Sequence, residues 1–157
     1  MKIPKLYLDT SVIGGYFDDE WKDATRELWQ QMRAGKFRFV TSSVTLDEVN
    51  AAPENVRGLF ASTFPLEHIL DPGEESEALA AASMEHRVLP PRFVDDARHV
   101  AVCTVAGIEL LVSWNFRHLV NVEREKGFNA INLLQGYRTL RIVNPLEMIY
   151  ESETEEL

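Results

Sequence analysis

Along this chain, short continuous apolar runs alternate with stretches in which apolar residues recur every three or four positions. Lys5-Leu6-Tyr7-Leu8 is the first run, β-prone and closed abruptly by Asp9-Thr10-Ser11. An apolar run without polar alternation predicts a strand covered on both faces. Phe37 to Thr41, Ile108 to Ser113 and Leu140 to Val143 repeat the pattern. Phe64 to Leu70 does so weakly, because Pro65 within it favours a sheet edge.

Helical spacing fills the intervals. Asp23 can cap a helix running to about Ala34, with Leu28, Trp29 and Met32 on one side and Gly35 as the stop. Thr45 to Glu48 opens a short helix, and Glu54 to Ser62 suggests another. Glu74 to His86 is alanine-rich, Phe93 to Ala106 is the most apolar helix, and Phe128 to Tyr137 is a helical connection. Pro145 to Tyr150 reads as a terminal turn or helix, whereas Gly14-Gly15 and Asp18-Asp19-Glu20 read as a turn or mobile segment. Strands alternating with helices predict an α/β protein with a mostly parallel central sheet covered on both sides. No linker divides residues 1–150, which read as one domain followed by an acidic tail at 151–157.

Composition narrows the class without naming a function. The 157 residues suffice for one sizeable core, and 45% hydrophobic with 26% charged residues is ordinary for a globular protein. No apolar run approaches the roughly 20 residues of a membrane span, and the start of the chain lacks the apolar stretch of a secretion signal. The single cysteine, Cys103, permits no internal disulfide, so a cytoplasmic setting is the simplest expectation. The net charge is −9, but Glu151, Glu153, Glu155 and Glu156 supply four of the 25 acids. Without them the balance is 16 basic against 21 acidic residues, or −5. Such a charge argues against salt-driven binding of long duplexes. It leaves room for an enzyme that reaches phosphates through metal ions.

Three acids are candidates for one centre. Asp9 ends the first strand, Glu48 follows the second, and Asp96 lies early in the most apolar helix. Ligands of open α/β sheets sit beyond the carboxyl ends of the strands, where Asp9 falls. On the helix whose buried side is set by Phe93, Ala97, Val100, Ala101 and Thr104, Asp96 stands roughly 90° from the buried direction and Asp95 roughly 170°. Asp96 can therefore face a rim, while Asp95 faces water. Gathered carboxylates repel one another, and a hard divalent ion such as Mg²⁺ or Mn²⁺ relieves that repulsion and takes oxygen ligands. Each acid also has a plainer reading. Asp9 can cap a helix, Thr45-x-x-Glu48 fits a capping box, and Asp96 can complement a helix dipole.

At these residues the chain resembles the PIN-domain ribonucleases, particularly the VapC-type toxins. The likeness covers Leu8-Asp9-Thr10-Ser11, Glu48, Asp96-Ala97-Arg98-His99-Val100-Ala101 and Leu111-Val112-Ser113-Trp114-Asn115. The resemblance implies a three-layer α/β/α sandwich and a Mg²⁺- or Mn²⁺-dependent endoribonuclease, with Asp9, Glu48 and Asp96 at the family's acidic positions. It further implies an RNA substrate, an antitoxin partner and a homodimer. Where many relatives carry a further aspartate, this sequence has Asn115, whose amide can hydrogen-bond a metal-bound water but supplies no charge. Thr10, Ser113, Arg98 and Arg117 are candidates to touch substrate, and His99 and His118 could meet phosphate near the same edge. Trp114 could stack on a base, or belong to the core or a dimer contact.

Two other functions fit parts of the pattern. A non-catalytic PIN-like module for RNA binding or assembly would follow if Asn115 has weakened the metal site. A haloacid-dehalogenase-type phosphatase is suggested by Asp9 and the Asp95-Asp96 pair, but position 11 holds Ser11 where that chemistry calls for a second acid.

Overall fold

The structure is a computed structural model that describes residues 2–149. Five strands form one sheet in the order β3-β2-β1-β4-β5, and every neighbouring pair is parallel. They are β1 (Lys5–Leu8), β2 (Arg38–Ser42), β3 (Ile69–Leu70), β4 (Leu110–Val112) and β5 (Arg141–Val143). The uninterrupted apolar character of β1 is explained by its place at the centre, where Leu6, Tyr7 and Leu8 are all fully buried.

Side chains alternate across the sheet and so build two cores. On one face Tyr7, Val40, Leu111 and Ile142 pack with Leu79, Ala97, Val100, Ala101 and Phe128. These come from α5 (Glu74–Glu85), α6 (Val94–Val105) and α7 (Val122–Leu134). On the other face Leu6, Leu8, Val112 and Val143 meet Val12, Leu28, Trp29 and Phe60. These belong to α1 (Thr10–Gly15), α2 (Lys22–Arg33) and α4 (Glu54–Thr63), and α3 (Ser43–Val49) adds Val49. The result is a three-layer α/β/α sandwich. Because all strands run the same way, their carboxyl ends share one edge.

Several local expectations change. Gly14 and Gly15 end α1 instead of forming a turn, because Gly15 lies under the Trp114 indole. A Cβ on Gly15 would stand 2.6 Å from Trp114 Cδ1. The helix expected from Thr45 opens at Ser43, with the Ser42 hydroxyl as its cap at 3.2 Å from Val44 N, and Thr45 is buried. The weak third strand shrinks to Ile69–Leu70 after a short 3-10 turn at Leu66–His68, and it lies at the sheet edge as its proline suggested. The last long helix begins six residues earlier than its apolar residues indicated, at Val122. Asn121 caps it by accepting from Arg124 N at 2.8 Å, while Gly127 lets it approach Val88. Gly35, at φ +81°, ends α2 in the left-handed conformation that glycine adopts without strain.

Among the described residues no helix is long and apolar enough to cross a membrane. The acidic tail expected at 151–157 lies outside the described residues.

Candidate metal centre

Asp9 follows β1 at the carboxyl edge of the sheet, and it is both helix cap and site residue. Its Oδ1 accepts from Val12 N at 3.3 Å, which caps α1, and from Ser11 Oγ at 2.6 Å. Its Oδ2 accepts from Ser113 Oγ at 2.6 Å, across the adjacent end of β4. Thr41 on β2 donates to the Leu8 carbonyl at 2.7 Å and so fixes the backbone just before Asp9. Burial raises the Asp9 carboxyl above its ordinary value, and the nearby His99 imidazole and the Ser11 and Ser113 hydroxyls pull it back.

Glu48 comes from α3. No capping box forms with Thr45; its Oε1 accepts instead from His99 Nε2 at 2.7 Å and from Thr10 Oγ1 at 2.8 Å. Burial pushes this carboxyl up, but His99 and Thr10 outweigh it and hold Glu48 below its usual range. Asp96, in the first turn of α6, accepts from Asn115 Nδ2 at 3.4 Å and stands 3.5 Å from His118 Nδ1. Burial, with the carboxylates of Asp9, Glu48 and Asp95, raises it to about 6 against the pull of His99.

The same edge thus gathers residues that are remote in sequence. Ser113 Oγ links Asp9 to the Asn115 backbone N–H at 2.9 Å, and the Asn115 amide links onward to Asp96. Asn115 Oδ1 accepts from His118 N at 3.0 Å, so its amide holds the loop after β4. Among the described residues, no three His, Cys, Asp or Glu side chains form a ready-made metal cage. The three acids share one electrostatic field without closing on a common point.

The helical-wheel distinction between the two aspartates has a structural counterpart. Asp95 is exposed and pairs with Arg98 at 3.2 Å, and Arg98 also reaches Glu77 at 3.0 Å. The guanidinium of Arg98 is therefore engaged with carboxylates on α5 and α6, whereas Arg117 is exposed. Trp114 is buried, stacked on Trp21 with centroids 4.3 Å apart, and donates to Thr25 Oγ1 at 2.9 Å. Thr10 and Ser113 direct their hydroxyls at the site carboxylates.

His99 and His118, candidates on sequence to meet phosphate at this edge, are both buried, with His99 only 1% exposed. Burial lowers the His118 imidazole, and the positive charges of Arg117, Arg124 and Arg92 lower it further. Arg92 lies 5.0 Å over the Phe93 ring, which in turn packs 3.7 Å from His118. Three arginines thus act on His118, which itself stands 3.5 Å from Asp96. The approach of Arg92 and Arg124 to His118 had no sequence signal, because it depends on how the turn before α6 and the helix α7 pack against the segment after β4.

No family model matches this sequence, and no curated protein matches it. Solved structures do share its fold. FitAcB from Neisseria gonorrhoeae aligns with a TM-score of 0.56 at 13% identity, covering 90% of this chain and 98% of that one. VapBC2 from Rickettsia felis, bound to a DNA fragment from its promoter, gives 0.54 at 12% identity, covering 89% and 98%. FitAB bound to the IR36 DNA fragment gives 0.55 at 15% identity, covering 89% and 94%. The chain shares with these structures a PIN-like three-layer fold.

Proposed function

We propose that this protein is a Mg²⁺- or Mn²⁺-dependent endoribonuclease, the toxin of a type II toxin–antitoxin pair. The observation that carries the reading is the common field of Asp9, Glu48 and Asp96, delivered by β1, α3 and α6 to one edge of a PIN-like sheet. The donor chemistry, although the acids form no closed cage, is that of a hard divalent cation. The donor set is made of oxygens, and among the described residues Glu48 Oε2 and Asp96 Oδ1 accept no hydrogen bond. When bound, such a cation would polarise the phosphodiester and lower the pKa of a coordinated water.

The protein's own residues prepare that centre. Ser11 and Ser113 hold Asp9, Thr10 and His99 hold Glu48, and Asn115 holds Asp96. Arg92, Arg117 and Arg124 place positive charge beside it, where an RNA backbone would be attracted despite the negative net charge. An antitoxin partner and a homodimer belong to the same proposal, supported by the toxin–antitoxin neighbours.

A second reading, a non-catalytic RNA-binding or assembly module, is favoured by the neutral Asn115 and by the open spacing of the acids. One experiment separates the two. Purified wild type and Asp9→Asn are incubated with single-stranded and loop-containing RNA, in Mn²⁺ or in EDTA. The nuclease reading expects metal-dependent cleavage by wild type alone. Full cleavage by Asp9→Asn defeats the site assignment, and no cleavage or Mn²⁺-induced stabilisation of wild type favours the binding module.

A further inference from the structure

A line of polar side chains crosses the otherwise apolar core beneath this site. Ser42 Oγ lies 2.6 Å from Tyr7 Oη, which lies 2.7 Å from His99 Nδ1, and His99 Nε2 lies 2.7 Å from Glu48 Oε1. Tyr7, His99 and Ser42 are each buried, and Tyr7 belongs to an apolar cluster of valine, leucine and alanine side chains. Burying hydroxyl and imidazole groups is costly unless they are bonded, and apolar side chains of similar shape would have filled the same space without that requirement.

The direction of the line follows from hydrogen-bond chemistry. An ionised carboxylate can only accept, so His99 Nε2 carries the proton facing Glu48. Nδ1 faces a hydroxyl that can either donate or accept, so Tyr7 supports this orientation whether or not the ring is charged. Both ring nitrogens are thereby occupied, and His99 is not itself a free metal ligand. Thr10 donates to the same Oε1 that His99 engages, leaving Oε2 as the oxygen without a donor among the described residues.

We propose that His99 is a positioning residue for Glu48: held by Tyr7 and Ser42, it turns the carboxylate so that Oε2 alone is offered to a divalent cation. This inference rests on reading the site as a metal centre. Outer hydrogen bonds to ligating groups commonly govern metal affinity in this way.

The test is Mn²⁺ binding by calorimetry to wild type, His99→Leu, His99→Gln, Glu48→Gln and the His99→Leu/Glu48→Gln double variant, each confirmed folded by circular dichroism. His99→Leu should weaken Mn²⁺ about 10- to 100-fold. His99→Gln, whose amide can still donate to Oε1, should restore most of that loss. In the Glu48→Gln background the His99→Leu substitution should cost nothing further, because the group it positions is already altered. Unchanged affinity in folded His99→Leu, or an equal loss with and without Glu48, overturns the proposal. Should His99→Leu fail to fold, Tyr7→Phe keeps the ring packing and carries the same test, with unchanged affinity overturning the line. A wild type that binds no Mn²⁺ overturns the metal-centre reading itself, which is a distinguishable outcome.

Discussion

Replacing Asp96 with asparagine should stabilise the metal-free protein while abolishing its response to metal. The Asp96 carboxyl is raised from 3.8 to about 6 in the folded state, by burial and by repulsion from Asp9, Glu48 and Asp95. At 1.36 kcal/mol per unit, a shift of roughly two units corresponds to about 3 kcal/mol. The side chain remains 19% exposed, so solvent screening reduces the expected cost to about 1–2 kcal/mol. The pH dependence has a definite sign. Below pH ~4 the group is protonated in both folded and unfolded chains and costs nothing. As pH rises through the window from 3.8 to about 6, the unfolded chain ionises first, and the folded state loses relative stability.

The amide that Asp96→Asn introduces would not ionise, and its carbonyl oxygen can still accept from Asn115. Thermal unfolding in EDTA at pH 7.5 should therefore show Asp96→Asn melting about 2–8 °C above wild type, at ~2–4 °C per kcal/mol for a domain of this size. At pH 4, just above the unfolded value of 3.8, the difference should shrink to roughly a fifth. Adding Mn²⁺ at about 100 times its dissociation constant should raise wild type by roughly 2.7 kcal/mol and leave the variant nearly unmoved, closing or reversing the order. Equal melting at pH 7.5 in EDTA, or a gap that persists undiminished at pH 4, would refute the electrostatic account.

Two further outcomes test the scaffold around the centre. Ser113→Ala removes the donor to Asp9 Oδ2 and the acceptor for Asn115 N, and should cost about 1–3 kcal/mol in urea unfolding; a change within error would mean the hydroxyl is dispensable. Gly15→Ala forces a methyl to within 2.6 Å of the Trp114 ring, and overpacking of this kind should cost about 1–3 kcal/mol. A melting temperature equal to wild type would show that the Trp114 and Trp21 stack shifts freely.

Local pattern carried far for the layers and less far for the site. The run Leu6-Tyr7-Leu8 announces a strand covered on both faces, since no alternation leaves a face for water. The 3.6-residue period separates Asp96 from Asp95 before any contact is known. Glu48 was ambiguous because a capping box and a metal ligand place the same residue types at the same spacing. Only the packing of α3 against α6, which brings His99 to its Oε1, resolves where that carboxylate points. The apolar pattern marks this helix only from Phe128, because the helical state of Val122 to Lys126 depends on the Asn121 cap and on Gly127 meeting Val88.

The sequence by itself determined the periodicities, and these dictate a parallel α/β sandwich with an acid at the end of its central strand. The tertiary structure decided which side chains meet there: Ser113 on Asp9, Asn115 on Asp96, and the buried Tyr7 and His99 behind Glu48. The physical reason is range. Backbone propensity and burial periodicity act over a few residues, whereas the distances and charges that shape this centre arise between segments up to 104 residues apart.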